Sequence, residues 1–341
     1  MSVEFTNPRA QYQFVGRSCS ITGVGSYVPE RIVTNADLEK LVDTSDEWIT
    51  SRTGIKERRI AAADQFTSDL AVKAAERAMK MAGVTADQLQ LIIVATITPD
   101  MPFPSTACLV QQKLGARNVP AFDLEAACSG FIYGLEIGQQ FIMSRTYDTV
   151  LVIGAEKISS IVDWTDRNTC VLFGDGAGAA ILQHKENAHG LLTVVMGANG
   201  ESAELLSMPG GGSRCPATAN SVAAKLHFLR MDGKETFKKA VQAMCSAANE
   251  ALRRCAIDIT KIKCVIPHQA NRRIIDAVSE RLGATPEQVF INLDKYGNTS
   301  AASVAIALDE AVASGRIQRG DLILLVVFGA GLTWGASVIQ W

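Results

Sequence analysis

Long apolar runs are missing from this 341-residue chain. The longest, over residues 322–328, falls well short of the ~20 residues needed to span a bilayer. Net charge is missing too. Lys and Arg number 33 and Asp and Glu 35, which leaves −2. That removes the global electrostatic argument for a nucleic-acid partner. Histidine is scarce, with four in the chain. The eight cysteines include no pair at C-x₂-C or C-x₄-C spacing, so no metal site is expected. The opening MSVEFTNPRAQYQF has an early Glu4 and no apolar centre, which does not fit a secretion signal. The expected location is cytoplasmic, where disulfides do not persist. Most cysteines are then expected as small buried hydrophobes.

What is present is enough apolar material for a large core. The chain is 48% hydrophobic and 20% charged, the balance of a soluble globular protein rather than a disordered one. Its length suggests about two domains. The domains are related, because the order of elements repeats about half a chain apart. In the first half, strands are expected at 18–28, 91–96, 121–126, 149–154 and 179–183. Helices are expected at 68–82, 105–114 (opened by Pro104 and stopped by Gly115) and 130–144. In the second half, strands are expected at 190–196, 262–266, 288–293, 322–327 and 334–339, and helices at 234–255, 271–282 and 300–314. Leu70, Ala71, Ala74, Ala78 and Met81 mark one face of the first helix. Alternating strands and helices imply sheets covered on both faces. The closing strand pair of each half, joined through glycines, implies an antiparallel end. The domains are read as an extension at 1–17 and halves at 18–187 and 188–341. The Gly-rich stretch 208–219 is expected as a mobile loop bordering a substrate site.

Ligands in such sheets bind beyond the carboxyl ends of strands. Three reactive residues fall there: Cys128, His268 and Asn298. Cys128 precedes a helix whose dipole favours a thiolate, the competent nucleophile for acyl transfer; a structural cysteine is the alternative. His268 lies between a buried strand and a helix and can serve as donor or base. His184 and His189 sit in a polar connection and are expected in solvent. His227 has no evident partner. Asn298 is expected to point at a ligand, with Ser300 capping the following helix in its place. The segment 174–179 fits a dinucleotide-binding pattern, but a strand follows where that pattern needs a helix. A tight turn for close backbone approach is the preferred reading.

Five motifs in order, EAACSGF around Cys128, GDGAGAA at 174–180, PHQAN at 267–271, YGNTSAAS at 296–303 and GAGLTWG at 329–335, resemble the thiolase superfamily. More narrowly they resemble β-ketoacyl-acyl-carrier-protein synthase III, as does TSDEWITSRTGIKER at 44–58. The resemblance implies an α/β thiolase-like fold, two similar βαβαβαββ halves in a layered α-β-α-β-α arrangement. It implies Cys128 as the nucleophile that takes an acyl group from coenzyme A. His268 and Asn298 would bind the thioester carbonyl of malonyl-acyl carrier protein and stabilise the enolate left by decarboxylation. The Cys-His-His set of elongating synthases is absent. The backbone N–H groups of Cys128 and Ala330 would form the oxyanion hole, with Ala330 at a position often Gly in the family. Trp48, Arg52 and Arg167 would hold the coenzyme A nucleotide. Lys234 stands where the family places an Asn against the pantetheine arm. Phe103 would reach the acyl pocket of a second subunit, which implies a homodimer. Arg272, Arg273 and Gln269 would contact the carrier protein. No resident cofactor is implied; coenzyme A thioester and carrier-bound phosphopantetheine are substrates.

Charge gives separate support for a carrier partner. Seven basic and three acidic residues between Arg253 and Arg281 make that segment +4 in a −2 chain. A basic patch beside His268 would steer an acidic carrier protein; an ordinary solvated helix face is the alternative. The expected function is acyl-coenzyme A and malonyl-carrier condensation at the start of fatty-acid synthesis. A secondary-metabolism acyltransferase or polyketide-priming synthase shares these residues, and a non-catalytic scaffold would lack the acyl-enzyme.

Overall fold

The computed structural model describes residues 17–185 and 190–341. The expected 187/188 boundary, His189 and the N-terminal extension up to residue 16 lie outside the described residues. The first half runs β1 (Ser20–Tyr27), α1 (Asp46–Thr53), α2 (Thr67–Ala82), β2 (Leu91–Ala95), α3 (Thr106–Leu114), β3 (Ala121–Leu124), α4 (Gly130–Met143), β4 (Thr149–Glu156) and β5 (Gly176–Gln183). The second runs β6 (Leu191–Ala198), α5 (Gly233–Cys255), β7 (Cys264–Pro267), α6 (Arg272–Leu282), α7 (Ser303–Ala313), β8 (Leu322–Gly329) and β9 (Thr333–Gln340).

The two sheets share one topology. The first has the order β1-β5-β4-β2-β3, antiparallel as far as β4 and parallel beyond it. The second has the order β6-β9-β8-β7, antiparallel as far as β8 and parallel at β7. The strand expected at 288–293 does not form. Its place beside β7 is taken by a single bridge between Val265 and Val289. The chain then closes into a one-turn helix, Leu293–Tyr296. Apolar residues there satisfied the sequence pattern, but their backbone makes too few ladder bonds to extend the sheet.

Strand alternation builds the layers. Val150 and Val152 of β4, and Ile323 and Leu325 of β8, face a shared centre filled by α4 and α7. Leu151 and Ile153 face outward onto α2 and α3. Leu324 and Val326 face outward onto α5 and α6. The result is five layers, α-β-α-β-α. Among the described residues no helix is long and apolar enough to cross a membrane.

Two details differ from expectation. Met81 lies off the buried face of α2, 44% exposed, with its sulfur accepting the Val24 N–H at 3.3 Å. The cap of α3 is Ser105, not Pro104; its hydroxyl accepts the Cys108 N–H at 3.3 Å. The glycines at 174–178 serve close approach, as expected: a Cβ on Gly178 would sit 2.5 Å from the Cβ of Ala305 in α7.

Candidate active site

The nucleophile candidate sits on a strained turn between β3 and α4. Ala127 adopts φ +46°, a left-handed conformation that costs about 1–2 kcal/mol without glycine. Gly130 follows where a Cβ would meet the Ala95 Cβ at 2.8 Å. From the other half, Gly329 comes so close that a Cβ there would lie 2.7 Å from the Cys128 nitrogen. The Thr333 hydroxyl lies 2.9 Å from the Ala126 carbonyl and 3.0 Å from that of Ala330. Thr333 thereby bridges Ala126, two residues before Cys128, and Ala330.

Cys128 is buried, 6% exposed. Burial pushes its thiol up to about 12, opposed by a hydrogen bond with the Ser300 side chain and reinforced by the charge of Glu156. Desolvation thus works against the thiolate that the helix N-terminus favours.

His268 and Asn298 reach the same cavity as Cys128, a space of about 620 Å³ whose lining includes all three. Burial lowers the His268 pKa to about 4, so its ring is neutral at pH 7. Its Nδ1 lies 2.6 Å from the Ser303 hydroxyl. When Ser303 donates to Nδ1, the proton sits on Nε2, the donor a carbonyl would need. Asn298 is clamped through its backbone by the Leu172 carbonyl at 2.8 Å and the Gly174 N–H at 3.1 Å. Its Oδ1 accepts the Ser300 N–H at 2.8 Å. Ser300 does not cap the helix that follows; Asn298 lines the cavity, and with Oδ1 taken by the Ser300 N–H its Nδ2 is the group left to donate.

Sequence reasoning missed Glu156 and gave Ser300 only a capping role. Glu156 ends β4 and is fully buried. Its carboxylate accepts from the Thr98 hydroxyl at 2.6 Å, the Thr96 hydroxyl at 3.1 Å and the Ser300 hydroxyl at 3.0 Å. The N–H groups of Ile97 and Thr98 add contacts at 3.1 and 3.2 Å. Burial still raises its pKa to about 7. Ser300 itself has φ +48°, the strained counterpart of Ala127 at the head of α7. The signal available in the sequence was a lone Glu closing an otherwise apolar strand.

Farther out, the Trp48 ring has Arg167 4.7 Å and Arg52 5.7 Å from its centroid. Arg52 and Lys234 line the cavity, as does Arg273, whose guanidinium lies 5.8 Å from the Phe237 ring. Phe103 is 84% exposed and away from this cavity. Arg272 is exposed and paired with Asp276 at 2.7 Å. Gln269 is corrected: it is 1% exposed. Its amide bonds Pro267 O at 2.7 Å and accepts the Asn292 N–H at 2.9 Å. It braces the turn after β7 and presents nothing to a docking protein. The basic segment is also weaker than its count, because Glu250 lies just outside it and pairs with both Arg253 and Arg254 at 2.8 Å. The loop 208–219 does not line the cavity; Leu206 and Met231, from the hairpin Leu206–Ser207 with Arg230–Met231, do. His227 has a partner after all, Ser221 at 2.9 Å. His184 bonds the Ser18 carbonyl at 3.0 Å.

Two family descriptions match the chain: 3-oxoacyl-[acyl-carrier-protein] synthase III over residues 122–200, and the C-terminal part of the same synthase over 252–341. The chain is 59% identical to the β-ketoacyl-[acyl-carrier-protein] synthase III of Caldanaerobacter subterraneus subsp. tengcongensis, over 95% of this chain and 98% of that one. Among solved structures, the 3-oxoacyl-[acyl-carrier-protein] synthase III of Aquifex aeolicus VF5 superposes with a TM-score of 0.88 at 50% identity, covering 95% and 100% of the two chains. The priming β-ketosynthase of the R1128 polyketide pathway superposes with 0.89 at 36% identity, covering 95% and 96%.

Proposed function

The chain belongs to the β-ketoacyl-acyl-carrier-protein synthase III family, which condenses an acyl group from coenzyme A with malonyl-acyl carrier protein to begin fatty-acid synthesis, and we propose that Cys128, His268 and Asn298 carry that reaction here. The observation that carries the assignment is the shared cavity: one buried thiol from the first half faces two neutral donors from the second.

In the first half-reaction the nucleotide of acyl-coenzyme A rests on Trp48 between Arg52 and Arg167, and the arm passes Lys234. The Cys128 sulfur attacks the thioester carbonyl. The N–H groups of Cys128 and Ala330 stabilise the oxyanion, and coenzyme A leaves. In the second half-reaction the carrier protein docks near Arg272 and Arg273. His268 Nε2 and Asn298 Nδ2 donate to the malonyl thioester carbonyl. Carbon dioxide departs, the enolate so stabilised attacks the acyl carbon, and the bond to Cys128 breaks. Neutral donors suit this step, because a charged imidazolium would be costly in a site that holds it near pKa 4. A homodimer at a cytoplasmic address completes the reading. The exposed Phe103 and the 42%-exposed Met101 form apolar surface that a second subunit would cover.

Intact-protein mass spectrometry tests the assignment. An adduct on Cys128 is expected after mixing with an acyl-coenzyme A, and it should vanish when malonyl-acyl carrier protein is added and a ketoacyl-carrier product forms. An adduct that survives the chase supports the polyketide-priming or acyltransferase reading, which the R1128 relative keeps in view. No adduct with any thioester rejects the assignment.

A further inference from the structure

Arg58 is fully buried. Burial lowers its pKa to about 10, so the guanidinium stays charged at neutral pH. It makes no ion pair among the described residues. Nη1 donates to the Val33 carbonyl at 3.2 Å and to Asn35 Oδ1 at 2.9 Å, and Nη2 donates to the Val171 carbonyl at 2.7 Å. Nε is buried without a hydrogen-bond partner. A buried cation with no counter-charge and an unmade hydrogen bond is costly to fold around. Its value lies in where it sits.

That place is the joint between the two halves. Arg58 belongs to the short strand Glu57–Arg59, which pairs with Ile32–Thr34. This strand anchors the segment 171–175 at both ends. Arg58 Nη2 takes the Val171 carbonyl, and the Arg59 carbonyl accepts the Asp175 N–H at 2.8 Å. Between the two anchors lie the groups that clamp Asn298, the Leu172 carbonyl and the Gly174 N–H. Phe173, between those, forms a parallel bridge with Asn298. The stem of Arg58 packs against the same joint: a Cβ on Gly174 would lie 3.1 Å from the Arg58 Cβ, and one on Gly297 3.6 Å from it. Gly297 turns the chain into Asn298 at φ +63°, where a Cβ would also meet the Leu172 carbonyl oxygen at 2.8 Å. Asn298 Oδ1 is already taken by the Ser300 N–H, so the direction of Nδ2 follows from how this joint sets the backbone.

We propose that Arg58 is a positioning residue for the second half-reaction: by fixing Val171, and with it residues 172–174, it aims Asn298 Nδ2 at the malonyl thioester carbonyl. Arg58 does not line the cavity; it acts through Asn298, and the inference rests on the proposed role of that residue. The planar fork suits the task. One nitrogen holds Val33 and Asn35 while the other holds Val171, which ties the segment to fixed points on a separate strand pair. A lysine keeps the charge but not both ends of that tie. Asn35 also donates to Asp46 Oδ1 at 2.7 Å, at the start of the helix α1 that carries Trp48 and Arg52. An Arg58 that served α1 instead would act on coenzyme A binding, and the test separates the two.

The test measures malonyl-carrier decarboxylation and acyl-Cys128 formation on the full chain for the wild type, Arg58→Gln, Arg58→Lys, Asn298→Ala and the two double variants. Arg58→Gln should lower kcat for decarboxylation about 10–100-fold, the scale of a small misplacement of a reacting group, with KM for malonyl-acyl carrier protein nearly unchanged. Arg58→Lys should retain more of that rate. In the Asn298→Ala background neither substitution should lower the rate further, the signature of two residues acting as one unit. Acyl-Cys128 formation and its KM for acyl-coenzyme A should stay near wild type in both single Arg58 variants. A loss that persists in the Asn298→Ala background, a raised KM for acyl-coenzyme A, or equal losses in the two half-reactions overturns the proposal. If Arg58→Gln does not fold, Arg58→Lys decides on the same comparisons. If Asn298→Ala alone leaves decarboxylation intact, the proposed role of Asn298 fails first, and that of Arg58 with it.

Discussion

At the scale of single residues, His268 and Asn298 each have a second partner that chooses which atom meets the substrate. Asn298 Oδ1 is taken by Ser300, so Asn298→Asp would present an acceptor where a donor is needed. Decarboxylation of malonyl-acyl carrier protein should drop by about 10²–10³-fold, while acyl-Cys128 formation is largely retained; steady-state and mass assays read the two separately. Buried His268 and Glu156 also leave opposite marks on stability. The folded pKa of His268 lies below its unfolded value, so stability falls as pH drops from about 6.5 toward about 4. The folded pKa of Glu156 lies above its unfolded value, so its contribution falls as pH rises from about 4.5 toward about 7. The two slopes, each up to about 1.4 kcal/mol per pH unit, oppose one another between pH ~4.5 and ~6.5. Removing the carboxyl with Glu156→Gln should expose the histidine slope. Denaturant melts across this range should then show the variant gaining stability with pH faster than the wild type; parallel curves would contradict it.

At the scale of elements, glycine lets the layers touch. Gly178→Ala would drive a methyl to 2.5 Å from Ala305 and 2.8 Å from the α7 backbone. Overpacking of this kind costs about 1–3 kcal/mol, and because α7 carries Ser303 and adjoins Ser300, activity should fall along with the thermal midpoint. Long periodic elements were legible in the sequence. Helices over 67–82 and 233–255 and strands over 149–156 and 322–329 announce themselves through apolar spacing and appear where expected. The strand at 288–293 was not, because an apolar run records burial and not the number of ladder bonds its backbone makes. Cys128 and His268 could be placed because each follows a strand, β3 or β7, in a recognisable motif; Asn298 was placed by its motif alone, since no strand precedes it. The contact between Glu156 and Ser300 could not be read, its partners being 144 positions apart and joined only by folding. Gln269 misled for the opposite reason: a polar residue in a polar turn looked exposed, yet its amide is consumed by backbone partners inside.

At the scale of the whole molecule, two halves of one topology contribute different chemistry. The position at the head of α7 that matches Cys128 at the head of α4 holds Ala301, so the duplication keeps a single thiol. Carrier docking belongs to this scale as well. Arg273 lies at the cavity and makes no ion pair among the described residues. Arg273→Glu should raise the KM for malonyl-acyl carrier protein about tenfold, steepest at low salt, and leave acylation by acyl-coenzyme A nearly unchanged; an equal effect on both substrates would remove Arg273 from the docking surface. The common cavity beneath it imposes a timetable. Both thioesters must pass through the space that Cys128, His268 and Asn298 share, so the second visitor waits until the first has vacated. Excess malonyl-acyl carrier protein should therefore queue against acyl-coenzyme A and slow acylation competitively. Throughput in the cell would then follow the ratio of the two donors as well as the supply of either.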